Sequence, residues 1–263
     1  SIDYLDLAGN AGAQTTAATD GSVVTFDKTA PYGTIVYDGV GADITYTGSD
    51  STLSANWPSF MEEISGIASY EYAIGTTRSG TEVAGWDTTG TDTVITKTGL
   101  FLSSDSTYYI SIRATDNAGN ESLVVTSDGV TVDTAAPYGT IVYDGAGADI
   151  NYTGSDSTLS ANWPAFTDEI SGIANYEYAI GTTSGGTEVT DWDSTGINTA
   201  YTKTGLSLSS GQSYYISIRA ADNVGNVGTA ITSDGVTVDT DGPIAGNIAD
   251  GDSADVDWTS SDA

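Results

Sequence analysis

Acidic and amide side chains in short loops are the residues of this chain that offer chemistry. Asp116 and Asn120 belong to an Asp-x-x-Gly-Asn loop, and Asp222 and Asn226 form the same loop further along the chain. Calcium takes about six to eight oxygen ligands of this kind in adaptable geometry. The 263 residues include 36 Asp plus Glu but no histidine and no cysteine, so metal binding is left to oxygen ligands. These loops therefore predict a calcium site.

Each loop follows a segment in which apolar and polar residues alternate. In the first copy, Tyr108, Ile110, Ile112 and Ala114 alternate with polar residues and stop just before Asp116. A β-strand points successive side chains to opposite faces, so this pattern predicts a strand with one buried row. The Gly, Asp and Asn that follow favour a reversal of the chain, which leaves their oxygens at the rim of the fold.

The chain is a tandem duplication with a fixed spacing. Residues 31–133 align with residues 137–239 without insertions, and 26 of these 103 positions differ. A repeat of about 100 residues must bury its own core, unlike a small solenoid repeat. We therefore predict a truncated preceding repeat at 1–26, complete repeats at 27–133 and 134–239, and a truncated following repeat at 240–263. The chain is expected to be a segment of a longer array.

Composition excludes several classes of function. Six Lys plus Arg against 36 acids give a net charge of −30, which repels nucleic acid and anionic membranes. No apolar run approaches the length of a membrane helix, so no membrane insertion is expected in this segment. Neither a phosphate-binding loop nor a nucleophile elbow occurs, and adjacent acids such as Glu62 and Glu63 do not set the separation that glycoside hydrolysis needs. We predict that the chain is not an enzyme.

The remaining pattern predicts an all-β fold. Short runs of Thr, Val, Ile and Tyr alternate with polar residues and are separated by Gly, Ser, Asp and Asn clusters. This pattern is typical of antiparallel sandwiches. In the first complete repeat, seven strands are predicted at 33–37, 52–58, 67–75, 82–86, 92–98, 107–115 and 123–132.

These residues resemble the fibronectin type III pattern. The resemblance rests on Trp57 in the second strand, on Ile67, Tyr70, Tyr72 and Ile74 in the third, and on Leu102 six residues before Tyr108. It covers both complete repeats, through Trp163, Ile173, Tyr176, Tyr178, Leu208 and Tyr214. It implies tandem seven-stranded antiparallel sandwiches, with Tyr108 and Tyr214 as tyrosine corners that bond back to the preceding loop. The Asp-x-x-Gly-Asn loops and the linkers also resemble repeats of large bacterial surface and secreted proteins, which implies an extracellular or cell-surface location.

In such a sandwich the linker before a repeat and the loops after strands two, four and six lie at one end. The predicted calcium ligands are accordingly Asp27, Glu62, Glu63, Asp116 and Asn120 in the first repeat, and Asp133, Asp168, Glu169, Asp222 and Asn226 in the second. Extracellular modules bind calcium with a Kd of about 10⁻⁴ to 10⁻³ M. The alternative is that these acids are solvated and that the loops only make turns. The opposite end is also acidic, with Asp38, Asp43 and Asp50.

Two surface features have a structural and a functional interpretation. Arg113 faces outward beside the strand that carries Glu71, which predicts a cross-strand ion pair, and Arg219 with Glu177 repeats it. The alternative is that the lone arginine of each strand recognises a ligand. Trp86, with Trp192 as its copy, either covers the edge of its own sandwich or stacks on a sugar ring.

The function predicted from these observations is mechanical. The repeats would form a spacer or stalk segment of a large extracellular bacterial surface or adhesin-type protein, rigidified by calcium at the domain junctions. The alternative is an array of accessory, carbohydrate-binding or partner-binding modules in a secreted polysaccharide-degrading enzyme. The expected partners are neighbouring repeats of the same chain, with a surface glycan or a protein ligand as a further possibility.

Overall fold

The computed structural model describes residues 25–246, and the chain divides into two compact units. Unit 1 ends at Thr134 and unit 2 begins at Ala135. The predicted boundary after residue 133 stays a prediction. The truncated repeats predicted at 1–26 and 240–263 also stay predictions, because most of their residues lie outside the described range. Residues 25–26 and 240–246 are described, and they contain no strand. Each unit is described by itself.

Unit 1 is built from two sheets. From residue 25 onward its nine strands are β1 (Tyr37–Asp38), β2 (Tyr46–Thr47), β3 (Thr52–Asn56), β4 (Ile67–Gly75), β5 (Ala84–Gly90), β6 (Val94–Thr98), β7 (Thr107–Asp116), β8 (Val125–Thr126) and β9 (Val130–Val132). One sheet has the order β1-β3-β6, and the other has the order β2-β9-β7-β4-β5 with β8 beside β7. Strands β2 and β9 are parallel, whereas the other neighbours are antiparallel.

Unit 2 repeats this arrangement. Up to residue 246 its strands are β10 (Tyr143–Asp144), β11 (Tyr152–Thr153), β12 (Thr158–Asn162), β13 (Ile173–Gly181), β14 (Thr190–Gly196), β15 (Ala200–Thr204), β16 (Ser213–Asp222), β17 (Ile231–Thr232) and β18 (Val236–Val238). Its sheets have the orders β10-β12-β15 and β11-β18-β16-β13-β14, with β17 beside β16.

The all-β sandwich is confirmed, and the structure refines the strand list. The short strand β2 has no counterpart among the seven predicted strands, and the predicted first strand at 33–37 is reduced to β1. The predicted last strand is divided into β8 and β9. Gly129 lies just before β9 with φ of 107°, a conformation that interrupts an extended strand. The predicted strand at 82–86 begins and ends later, as β5.

Each unit has its own hydrophobic core between its two sheets. In unit 1 the predicted alternating residues of β7 are all buried, and Trp57 is 3% exposed. The rings of Trp57 and Tyr70 meet edge to face with centroids 5.7 Å apart, and the Tyr70 hydroxyl accepts a hydrogen bond from the N–H of Phe60 at 2.9 Å. The core prediction is therefore confirmed.

The tyrosine corners implied by the resemblance are present in both units. The Tyr108 hydroxyl accepts a hydrogen bond from the N–H of Ser103 at 2.8 Å, and that of Tyr214 from Ser209 at 2.9 Å. The Tyr108 hydroxyl thus connects the loop before β7 to the start of β7, and the Tyr214 hydroxyl does the same for β16. Both units are therefore β-sandwiches that contain the tyrosine corner that the resemblance implies.

Candidate metal centre

Three acids from separate parts of unit 1 meet at one end of its sandwich. Asp27 precedes the first strand, Glu62 lies in the loop between β3 and β4, and Asp116 is the last residue of β7. One carboxylate oxygen of each lies within 4.8 Å of those of the other two. Residues so far apart in sequence come together because the linker and the two loops end at the same edge of the sandwich. Three carboxylates at this separation can share one cation.

Asp116 is held in place by its own loop. It is 2% exposed, and its Oδ1 accepts hydrogen bonds from the N–H groups of Ala118 at 2.9 Å and Asn120 at 2.8 Å. Its Oδ2 accepts a third hydrogen bond from the Asn120 side chain at 2.7 Å. Burial raises the pKa of Asp116, but the hydrogen bonds from Asn120, Ala118 and Gly119 outweigh it, so the pKa lies below its usual value. The carboxylate is therefore ionised.

Asp27 and Glu62 each leave one oxygen for a further partner. Asp27 Oδ1 accepts a hydrogen bond from the N–H of Thr29 at 2.9 Å, and Glu62 Oε1 accepts one from the N–H of Ile64 at 2.7 Å. Asp27 Oδ2 and Glu62 Oε2 are buried without a hydrogen-bond donor. A buried carboxylate oxygen without a donor is unfavourable, and a cation bound here would compensate for the missing hydrogen bonds.

The Asn120 amide ties the linker to the end of β7. Its Nδ2 donates to Asp116 Oδ2 and also lies 3.4 Å from the carbonyl oxygens of both Asp27 and Thr29. The amide nitrogen of Asn120 therefore positions the linker against the Asp116 carboxylate. The ligand role predicted for the Asn120 oxygen stays a prediction. Glu63 is exposed and lies outside the three-carboxylate cluster.

Unit 2 has the corresponding acids on its own loops. Carboxylate oxygens of Asp168 and Asp222 lie within 4.8 Å of each other. Asp168 Oδ1 accepts hydrogen bonds from three successive N–H groups, the shortest from Gly172 at 2.7 Å. Asp222 Oδ2 accepts one from Asn226 Nδ2 at 2.7 Å, and the same nitrogen donates to the carbonyl of Ala135 at 3.1 Å.

Two further predicted ligands differ in their surroundings. Glu169 is exposed, like Glu63 in unit 1. Asp133 is fully buried directly after β9, at the end of unit 1. The predicted ligand roles of Asp133 and Glu169 stay predictions.

A second acidic cluster in unit 1 lies outside the predicted ligand set. It contains Asp38, Asp43 and Asp128, and unit 2 repeats it with Asp144, Asp149 and Asp234. The sequence pattern places Asp38 and Asp43 at the other end of the repeat, but nothing in it connects them with Asp128. Burial raises the pKa of Asp38 to about 6, and repulsion from Asp43 and Asp128 adds to this, against hydrogen bonding from Ser127 and Gly129.

The outer face of the larger sheet of unit 1 carries an ion pair under an aromatic ring. Glu71 and Arg113 are register partners in β4 and β7, and Arg113 Nε donates to Glu71 Oε2 at 2.7 Å. The predicted pair is confirmed, and Arg219 with Glu177 repeats it at 2.6 Å. The guanidinium of Arg113 lies 4.6 Å from the ring centroid of Trp86, and that of Arg219 lies 4.2 Å from the ring centroid of Trp192. One face of each indole therefore contacts an arginine of its own sandwich.

Comparisons with known proteins give one sequence relative and several structural neighbours. No protein-family model matches the chain. It is 30% identical over 250 residues to Exoglucanase B of Cellulomonas fimi, in an alignment that covers 91% of this chain and 20% of that protein. The chain thus spans about a fifth of the length of this relative. Between residues 25 and 246, no helix is long and apolar enough to span a bilayer.

Similar solved structures include the fibronectin(III)-like modules of Clostridium thermocellum CbhA, at 16% identity and a TM-score of 0.39, covering 78% of this chain and 94% of that chain. The chicken CNTN1 FN1-FN3 domains are similar at 15% identity and a TM-score of 0.39, covering 79% and 69% of the two chains. Titin domains A168-A170 are similar at 16% identity and a TM-score of 0.44, covering 79% and 68%.

Proposed function

We propose that this chain is a non-catalytic spacer segment of a large secreted or surface-attached bacterial protein, and that calcium binds at the linker end of each repeat. The observation that carries the proposal is the cluster of Asp27, Glu62 and Asp116, in which two buried carboxylate oxygens have no hydrogen-bond donor. Asp27 belongs to the segment before the first strand, whereas Glu62 and Asp116 belong to the body of the sandwich. A cation shared by the three joins the linker to the sandwich.

Calcium suits this site better than a smaller cation. The ligand set consists of oxygens, and Asp27 and Glu62 lie on loops that allow irregular coordination. The repeat pattern places Asp168 and Asp222 where Glu62 and Asp116 stand one repeat earlier, so calcium binding is proposed for these two acids of unit 2 as well. A linker held at each repeat bends less, which is what a spacer requires.

The similarity to Exoglucanase B favours one setting for the spacer. An alignment over 91% of this chain but 20% of that protein is what a shared accessory segment would produce. We therefore favour an accessory segment of a secreted polysaccharide-degrading enzyme over a segment of an adhesin. In either setting the chain separates other domains and is extracellular.

Calcium titration of the complete chain tests the metal site, with thermal unfolding as the readout. The test variant is E62Q/D168N, and the matched control is E63Q/E169Q, which neutralises the exposed neighbours. At 10 mM calcium, a Kd of 10⁻⁴ to 10⁻³ M stabilises by about 1.4 to 2.7 kcal/mol per site. We expect the wild type and the control to show this gain and the test variant to show a smaller one. Equal gains in all three proteins would contradict the proposed site.

Small-angle scattering of the same proteins tests the spacer role. We expect an elongated particle. Its radius of gyration should vary less from one protein preparation to the next with calcium than without it. A folded-back particle with calcium bound would contradict the spacer while leaving the metal site intact.

A further inference from the structure

Asp38 is the most deeply buried acid of the second cluster. Its side chain is 0% exposed, and its Oδ2 accepts a hydrogen bond from the N–H of Gly129 at 3.0 Å. Its Oδ1 is buried and receives no hydrogen bond. Native structures rarely bury a carboxylate oxygen in this way, because the lost hydration must be replaced.

Two more acids lie close to this carboxylate. One carboxylate oxygen each from Asp38, Asp43 and Asp128 lies within 4.8 Å of the other two. Asp43 and Asp128 are exposed, so a cation from solvent can reach the cluster. Among residues 25–246, no ion pair includes any of the three. Three like charges, one of them desolvated, repel one another unless a cation lies between them.

The loop that carries Asp43 is held in a fixed shape. Asp43 Oδ1 accepts a hydrogen bond from the N–H of Asp38 at 2.7 Å. The Asn56 side chain donates to the carbonyl oxygens of Gly39 and Gly41, at 2.9 Å each. The acids are therefore positioned by the protein before any ligand arrives, which lowers the entropy cost of binding.

Unit 2 has the same arrangement with its own residues. Asp144 is 0% exposed, its Oδ2 accepts a hydrogen bond from the N–H of Gly235 at 2.9 Å, and its Oδ1 is buried without a donor. Asp149 Oδ1 accepts the N–H of Asp144 at 2.8 Å, and Asp234 completes the cluster. The unpartnered oxygen thus occurs twice, in units that differ at many other positions.

We propose that these clusters are a second class of cation site, one inside each unit, for a hard divalent cation with calcium preferred over magnesium. The ligands are Asp38, Asp43 and Asp128 in unit 1 and Asp144, Asp149 and Asp234 in unit 2. Calcium is preferred because two ligands of each site lie on exposed loops, whereas magnesium demands near-ideal octahedral geometry.

The position of the site in the sandwich determines what the cation does. Asp38 lies in β1, in the smaller sheet, and Asp128 lies in the turn between β8 and β9, in the larger sheet. A cation bound by both joins the two sheets of one unit. This role is separate from the linker site, because it needs no residue outside the sandwich.

Equilibrium dialysis of the complete chain against calcium measures the number of bound ions. The test variant is D38N/D144N, in which the amide oxygen still accepts the glycine N–H, and the control is D50N/D156N, which neutralises exposed acids outside the clusters. In an E62Q/D168N background, which weakens the linker sites, we expect the control to bind about two calcium ions per chain and D38N/D144N to lose both. The variant D128N/D234N, altered only at exposed positions, is expected to lose them as well.

Three results would overturn the proposal. The first is calcium binding by D38N/D144N and D128N/D234N equal to that of the control. The second is an equal loss in the D50N/D156N control, which would indicate diffuse attraction to an acidic surface. The third is equal occupancy with magnesium at the same concentration, which would contradict the calcium preference.

Discussion

The Asn120 side chain donates to Asp116 Oδ2 at 2.7 Å while its N–H donates to Asp116 Oδ1 at 2.8 Å. One residue therefore contacts both oxygens of the carboxylate that ends β7. Because the same amide also reaches the carbonyl oxygens of the linker, the loop is a structural joint whether or not calcium is bound.

Asn120→Ala is expected to destabilise unit 1 by about 1 to 3 kcal/mol, since a hydrogen bond to a charged group is lost and Asp116 stays buried. Chemical denaturation in the presence of a chelator measures this loss. Thr45→Asn, which installs the residue of unit 2 at an exposed position, is the control and should change little. An Asn120→Ala protein as stable as the wild type would show that the joint is not a source of stability.

Tyr108→Phe is expected to cost about 1 to 2 kcal/mol, because the N–H of Ser103 loses its acceptor while the ring is kept. Tyr109→Phe is the matched control, since that ring lies 5.4 Å from Arg78 and needs no hydroxyl for the contact. Thermal unfolding of the two variants compares them directly. Equal melting temperatures would argue against an energetic role for the tyrosine corner.

Arg113→Ala is expected to lower stability by about 0.5 to 1.5 kcal/mol, since it removes a part-exposed ion pair and the contact with Trp86. The calcium response should be unchanged. Arg113→Lys should recover part of the loss, because an ammonium keeps the charge but not the planar stacking. A change in calcium affinity in either variant would contradict the separation of this surface from the metal sites.

Trp86 is expected to give no saturable fluorescence change with cello-oligosaccharides, because Arg113 covers one face of the indole. The same titration of the variants Trp86→Phe and Trp192→Phe is the comparison for the wild type. A saturable shift in the wild type that is smaller in each variant would instead support the carbohydrate-binding interpretation.

Without calcium, the stability of the chain is expected to fall as the pH rises from about 4 to about 6. The pKa of Asp38 is raised to about 6 in the folded protein, and that of Asp144 likewise. The folded state therefore holds protons that the unfolded state has already released, so ionisation of these groups opposes folding above pH 6. The loss should be about 1 to 3 kcal/mol per unit, at the lower end where water screens the cluster. Unfolding of D38N/D144N in chelator should lack this part of the pH dependence. A wild-type profile identical to that of the variant would show that the two carboxyls have ordinary pKa values.

Sequence alone determined the repeat, the sandwich and most of its core. Alternation along residues 107–115 identifies the buried row because a strand has only two faces. A fixed repeat without insertions requires two similar units. The sequence also predicted that Asp27, Glu62 and Asp116 meet, since up-and-down strands place their loops at alternating ends.

Only the tertiary structure decided which acids share a site. Glu62 and Glu63 are neighbours with identical chemistry. The conformation of their loop alone places Glu62 in the cluster and exposes Glu63 to solvent. The parallel pairing of β2 with β9 and the approach of Asp128 to Asp38 depend on contacts about 90 residues apart, as in the hydrogen bond from Gly129 to Asp38. Local patterns carry no record of such contacts, because they arise from strand pairing within a sheet and from how the two sheets pack.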